Sequence, residues 1–233
     1  MWYRDPGMRL AALVPAYQAA GTVRDVVAGM LAYVDDVLVV DDGSDDGTGA
    51  AAGAAGATVL RHSKNRGKGA ALVSGFRQLE RLGFSHALTL DADGQHLPSE
   101  APRLVEAAAQ APEALIVGVR RKQGQPIRLL NRFGNWVADG LMRWITGRSL
   151  PDTQSGFRIY PLERTLALRA RGCRFDFETE VLLLGARAGR PLLGVPVTVY
   201  YPPIGERVSH YRPCRDTALI VATVTRAWLW PQC

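Results

Sequence analysis

The chain has 233 residues, 47% hydrophobic and 21% charged, and a formal net charge of +6. That length and composition exclude disorder and allow one large domain with a substantial core. The positive balance points to anionic partners, yet no run of five or six Lys and Arg occurs and basic residues are not interleaved with aromatics in a recognition pattern, which argues against nucleic acid. Cys173, Cys214 and Cys233 stand far apart, without metal-ligand spacing or a disulfide framework, as in a reducing cytoplasm. The start, Met1 to Gly7, contains Arg4, Asp5 and Pro6 and lacks the apolar core of a signal peptide. No stretch reaches the roughly 18 apolar residues of a membrane-crossing helix. A cytoplasmic protein is expected.

In chain order, short apolar runs alternate with helical patterns. A strand is predicted over Leu10–Val14 and a helix over Thr22–Tyr33. Next come a strand over Val37–Val40, a helix over Thr48–Ala55, a strand over Ala57–Leu60 and a helix over Gly69–Leu82. A strand over Ala87–Leu90 precedes a helix over Pro98–Ala109, where Pro98 and Ser99 are start signals, and a strand over Ala114–Val119 follows. Short, nearly continuous apolar strands suit a parallel sheet covered on both faces. Ala50–Ala57 is rich in Ala and Gly, but its place between two strands favours a surface helix over a linker. The alternation predicts a doubly wound α/β sheet with right-handed crossovers. After residue 120 the pattern changes. Arg120, Arg121 and Lys122 precede the glycine- and proline-containing Gln123–Pro126. A helix is predicted over 127–146, a strand over Gly156–Tyr160, a helix over Phe177–Ala188, a strand over Leu192–Tyr201 and an apolar helix over Thr217–Trp230. This part reads as an extension of the sheet, not as an independent domain.

In an open α/β sheet, ligands bind outside the carboxyl ends of the strands. Here the first strand ends in Val14-Pro15-Ala16-Tyr17, the second runs into Asp41–Thr48, and the fourth into Asp91-Ala92-Asp93-Gly94-Gln95. Six carboxylates at two strand ends of a basic chain repel one another unless a cation or donors satisfy them. Asp91 and Asp93 suit a hard divalent cation, with phosphates completing its shell. They point to a phosphorylated, nucleotide-linked substrate. Ser44 to Thr48 suit a tight turn and a helix cap, whereas Asp41 or Asp42 can accept a nucleobase N–H. Tyr17 can cover a base or be an ordinary edge tyrosine. Asn65-Arg66-Gly67-Lys68-Gly69 opens a helix. Its glycines allow close backbone approach, and a helix N-terminus beside Arg66 and Lys68 attracts anions. It is not a Walker P-loop, because the spacing and the Ser or Thr are missing.

These motifs, in this order and spacing, resemble family 2 glycosyltransferases with the GT-A fold. Asp152-Thr153-Gln154-Ser155-Gly156-Phe157-Arg158 and Phe177-Glu178-Thr179-Glu180 extend the likeness, which covers about residues 9–201. The chain looks most like the polyprenyl-phosphate (dolichyl-phosphate) mannosyl- and glucosyltransferase branch. The resemblance implies a single GT-A domain over residues 1–233, with a nucleotide-sugar half to about residue 120 and an acceptor-side half after it. It implies that Pro15, Tyr17 and Asp41 or Asp42 hold the base, and that Gly67 and Lys68 line base and ribose. Asp91 would reach ribose or metal, and Asp93 with Gln95 would bind Mg²⁺ or Mn²⁺ on the diphosphate. Arg120 and Arg132 match positions that meet an acceptor phosphate. Gln154, Ser155 and Arg158 would form the acceptor-side wall, and Glu178 or Glu180 stands where other members carry a general base. The implied reaction is an inverting, metal-dependent transfer of a hexose from a UDP- or GDP-linked sugar to a membrane-lipid acceptor, a polyprenyl phosphate. The alternatives are a hydroxyl acceptor on a glycolipid or hydroxylated lipid, and a non-catalytic nucleotide-sugar binding module. Ala19 departs from the acidic residue common at its position in the family. Trp136, Trp144, Trp228 and Trp230 lie in segments too short to span a bilayer. These either pack on the core or lie in a membrane interface, so peripheral contact with the inner face of the membrane is a further expectation. Ser209–Pro213, basic and aromatic, is either an ordinary loop or one that closes over diphosphate or acceptor.

Overall fold

The computed structural model describes residues 8–120 and 152–200, together with the helical residues Leu219, Ala222, Thr223 and Thr225. Arg132, the helix expected over 127–146, the Ser209–Pro213 loop and most of the helix expected over 217–230 lie outside the described residues. Strands β1 (Leu10–Ala16), β2 (Val37–Asp41), β3 (Thr58–Arg61), β4 (His86–Thr89), β5 (Leu115–Arg120), β6 (Arg158–Pro161) and β7 (Leu192–Val197) form one sheet. Their order is β3-β2-β1-β4-β6-β5-β7. Helices α1 (Val23–Leu31), α2 (Thr48–Ala54), α3 (Lys68–Arg81), α4 (Ala101–Gln110), α5 (Leu162–Ala167) and α6 (Asp176–Arg187) complete the described elements. A single 3-10 turn, Pro98–Glu100, leads into α4.

The sheet faces separate by the two-residue period of a strand. Ala12, Val14, Val37, Val39 and Leu88 enter one core with Val26 and Met30 of α1 and Leu104 and Ala108 of α4. Ala11, Leu13, Leu38, Val40 and Ala87 enter the other with Leu72, Phe76 and Leu79 of α3 and Val181, Leu182 and Leu183 of α6. Each fully buried Val, Leu or Phe contributes about 1.5–3 kcal/mol of transfer free energy, so these two layers hold the fold. With both faces covered, all of β2 is buried. That is why its sequence reads as a continuous apolar run.

Strand direction sets what lies at the working edge. β1 pairs in parallel with β2 and with β4, so Ala16 lies opposite Asp41 and Leu13 opposite Thr89. β6 runs antiparallel to both β4 and β5. The carboxyl ends of β4 and β5 therefore share one edge of the sheet with the start of β6, where Arg158 faces Thr89. Beyond β7, His96 and Val199 form an isolated antiparallel bridge. This links the segment after β4 to the chain that leaves β7.

Candidate active site

The loop from Asn65 to Lys68 is held from below. Asp42, almost fully buried, accepts the backbone N–H of Gly67 at 2.7 Å and that of Arg66 at 3.0 Å. His62 approaches the same carboxylate through Nδ1 at 2.6 Å. Asp41, also buried, accepts the Ser44 N–H at 2.9 Å and faces Arg61 at 3.5 Å. The two acids that the sequence offered to a base thus have protein partners, and one of them shapes the glycine loop. Gly67 has φ +98°, and a side chain there would overlap the Cys173 carbonyl. This explains a glycine at the point where the loop enters α3. Pro15 and Tyr17 are half-buried at the end of β1.

The loop delivers Lys68 to two acids. Its Nζ lies 2.5 Å from Asp91 Oδ1 and 2.9 Å from Glu178 Oε2. Burial disfavours the ammonium charge, but Asp91 and Glu178 more than offset it, and the Lys68 pKa is raised. Asp91 shows the converse. Burial pushes its carboxyl up, yet Lys68 leads the cations that hold it below the usual range. Gly156 packs so closely against the Asp91 carboxylate that any side chain there would collide with it. Among the described residues Asp93 forms no such ion pair. Burial, reinforced by the negative charge of Asp91, lifts it to about 6, against a backbone hydrogen bond from Gln95 at 3.0 Å. Lys68 pairs with one carboxylate, and among the described residues no cation pairs with its neighbour, a hard-oxygen donor set that fits Mg²⁺ or Mn²⁺. Among the described residues no three His, Cys, Asp or Glu side chains converge as a metal cluster. Asp93 and Asp91 would therefore hold the ion with ligand phosphates completing the shell, the mode usual for Mg²⁺.

At the end of β5, Arg120 and Asp152 form a two-pronged pair at 2.6 and 2.8 Å. Burial raises the Asp152 carboxyl, but the Arg120 hydrogen bonds and charge bring it below its ordinary value. Gln154 is half-buried beside it, and Ser155 is buried. Arg158 does not form a wall, because it is fully buried. Its guanidinium donates to the carbonyls of Ser155, Thr153 and Glu178 at 2.6, 2.8 and 2.8 Å. It is a strut beneath the site. The two glutamates of α6 also separate. Glu178 faces Lys68, and its Oε1 has no hydrogen-bond partner among the described residues. Glu180 accepts the backbone N–H groups of Arg171 and Gly172 at 2.8 and 2.6 Å. Sequence reasoning passed over three residues of this region. Asp152 heads the Asp152–Arg158 motif, His62 is one polar residue after an apolar strand, and His96 directly follows the Asp91–Gln95 stretch. His96 is buried against Phe157, and burial holds its pKa down at about 4.

Residues 11–172 match the sequence model of the family described as Glycosyl transferase family 2. Over 221 residues the chain is 31% identical to undecaprenyl-phosphate mannosyltransferase of Micrococcus luteus, covering 85% of this chain and 86% of that one. It is 29% identical over 215 residues to polyprenol monophosphomannose synthase of Mycolicibacterium smegmatis, covering 83% and 78%. Among solved structures, glucosyl-3-phosphoglycerate synthase of Mycobacterium tuberculosis, in complex with Mn²⁺, UDP and phosphoglyceric acid, matches with a TM-score of 0.76 at 20% identity. That match covers 99% of this chain and 86% of the other, and it establishes the fold as GT-A.

Proposed function

The chain belongs to glycosyltransferase family 2, and from that premise we propose that it transfers a hexose from a UDP- or GDP-linked sugar, with inversion, to a polyprenyl phosphate. The observation that carries the reading is the convergence of Lys68, Asp91 and Glu178, with Asp93 beside them, at the carboxyl end of the sheet. A cation bound there would supply positive charge against the departing nucleoside diphosphate. Asp93 and Asp91 would bind it, and Lys68 would hold Asp91 ionised and oriented. Pro15 and Tyr17 would flank the base. Arg120, fixed by Asp152, would meet the acceptor phosphate, with Arg132 contributing from outside the described residues. The names of the Micrococcus and Mycolicibacterium relatives, both enzymes of polyprenyl phosphates, support that acceptor. A lipid phosphate is already anionic and needs no proton removed.

Glu178 Oε1, without a hydrogen-bond partner among the described residues, favours a second reading, in which a lipid or glycolipid hydroxyl is the acceptor and Glu178 takes its proton. In both readings the protein works at the surface of a membrane whose lipid it modifies. Among the described residues no helix is long and apolar enough to cross that membrane.

Thermal melting of the full chain with UDP- and GDP-hexoses, with and without Mn²⁺, tests the donor side, because only ligands of the native state raise Tm. Asp93→Asn is expected to abolish the Mn²⁺-dependent rise while leaving the ligand-free fold intact. An unchanged Mn²⁺ response in Asp93→Asn would end the metal assignment.

A further inference from the structure

Asp42, buried at the end of β2, receives three donors: the backbone N–H groups of Arg66 and Gly67 and the Nδ1 of His62. The other ring nitrogen of His62, Nε2, lies 3.0 Å from the hydroxyl of Ser74. A carboxylate only accepts, so the ring proton facing Asp42 sits on Nδ1, and in the neutral ring Nε2 accepts the Ser74 hydroxyl proton. The relay closes a circuit. His62 follows β3, Asp42 follows β2, and Ser74 lies on α3, whose first residue is Lys68. The loop between His62 and Ser74 is thereby anchored at both ends to one buried carboxylate. The neighbouring contacts leave that loop little room. Gly43 packs on the backbone of Lys64 and Asn65, Gly67 on the Cys173 carbonyl, and Gly69 on Gly172.

We propose that His62, with Ser74 behind it, is a positioning residue that orients Asp42 as the clasp of the 65–68 loop and so sets where Lys68 meets Asp91 and the donor. His62 touches no ligand in this reading; it acts through Asp42. The consequence for donor binding rests on the nucleotide-sugar reading above, whereas the consequence for the loop does not.

The two conservative replacements of histidine separate this role from ordinary packing. Asparagine can place an N–H where Nδ1 stands, and glutamine can reach where Nε2 stands. His62→Asn therefore keeps the bond to Asp42 and loses Ser74, and His62→Gln does the reverse. Titration calorimetry of the full chain with UDP and with GDP, each with Mn²⁺, is expected to show His62→Asn within about threefold of wild type. His62→Gln is expected to be weaker by about tenfold or more, the worth of one charge-assisted hydrogen bond. Amide hydrogen exchange at Arg66, Gly67 and Lys68 in the ligand-free protein is expected to follow the same order. Ser74→Ala, which leaves Asp42 untouched, is expected to raise that exchange by about threefold and decides the matter if neither histidine variant folds. Equal behaviour of the Asn and Gln variants in both measurements, or unchanged exchange in Ser74→Ala, overturns the proposal. If wild type binds neither nucleotide, the nucleotide-sugar reading falls, and the exchange data alone then decide the clasp.

Discussion

Two glutamates two positions apart on α6 have different work because residues at that spacing do not share a helix face. Glu178 meets Lys68, and Glu180 holds the backbone of Arg171 and Gly172. Those two residues lie in the segment that packs on Gly67 and Gly69. Glu180→Gln keeps one accepting oxygen but loses its charge, which is expected to cost about 1–2 kcal/mol and to lower Tm by several degrees. Glu178→Gln leaves Lys68 paired with Asp91 and is expected to melt close to wild type. Its turnover decides the acceptor. A phosphate acceptor leaves it nearly intact, whereas a hydroxyl acceptor costs about a hundredfold or more. If Glu180→Gln melted like wild type while losing all turnover, the division of labour drawn here would be wrong.

Histidines at the same scale set an acid limit on stability. His86, at the start of β4, lies between Ser85 Oγ at 2.9 Å and the Pro112 carbonyl at 2.8 Å. Burial lowers its pKa despite that carbonyl. His96 is lowered further, to about 4. A histidine whose folded pKa lies below its unfolded value of about 6.5 stabilises the fold fully above that pH. The contribution is lost as pH falls through the folded value. The two histidines therefore act to lower Tm as pH falls from about 7 to 5, against the raised carboxyl of Asp93, which acts the other way, and His86→Gln is expected to make that acid loss smaller. An identical slope in the variant would show that His86 takes no part.

At the scale of the element, the contact of α3 with β1 depends on a missing side chain. A Cβ on Gly75 would overlap the methyl groups of Leu13, which is fully buried in β1. Alanine raises helix propensity by about 1 kcal/mol over glycine. Overpacking a closed core costs about 1–3 kcal/mol. Leu13 is fully buried between its strand partners Leu38 and Thr89, themselves buried, so the second term is expected to win, and Gly75→Ala should lower stability by about 1 kcal/mol. Combined with Leu13→Val, it should cost less than the sum of the two single changes. Strict additivity in denaturant unfolding would place the clash elsewhere. Elements of this half were readable in the sequence because both faces of the sheet are covered. The β2 run Val37–Asp41 has no polar residue before its end, and predicted helix bounds such as Thr48–Ala55 differ from the observed Thr48–Ala54 by a residue. The exceptions have local causes. The first turn at Pro98–Glu100 is 3-10 before α4 begins, as is common at helix N-termini, and α5 is only six residues long, too short to show a period.

At the scale of the whole molecule, the order of strands and the meeting of site residues were not readable, because both depend on long-range pairing. Acids at strand ends can be read from a sequence. That Lys68, Asp91 and Glu178 share one point cannot, since they come from three elements whose adjacency the sheet decides. The insertion of β6 between β4 and β5 is the clearest case, and it has a consequence for what can fold. Residues 8–120 hold five strands and four helices that look like a complete nucleotide-binding half. Yet β5 pairs only with β6 and β7 among the described strands, so a chain ending at residue 120 would leave it without a partner. The same cut uncovers the face under Tyr160, Leu162, Phe177, Val181, Leu182 and Leu183. At about 1.5–3 kcal/mol for each buried side chain, the loss is on the order of 10–20 kcal/mol. A domain's whole stability is about 5–15 kcal/mol. A fragment of residues 1–120 is therefore expected to lack a cooperative thermal transition and a near-UV circular dichroism signal, whereas the full chain melts in one step. A fragment that melts sharply would mean that the nucleotide half is a domain in its own right. Lys68 and Asp91 would then be positioned without α6, and the single-domain architecture proposed for this chain would have to be given up.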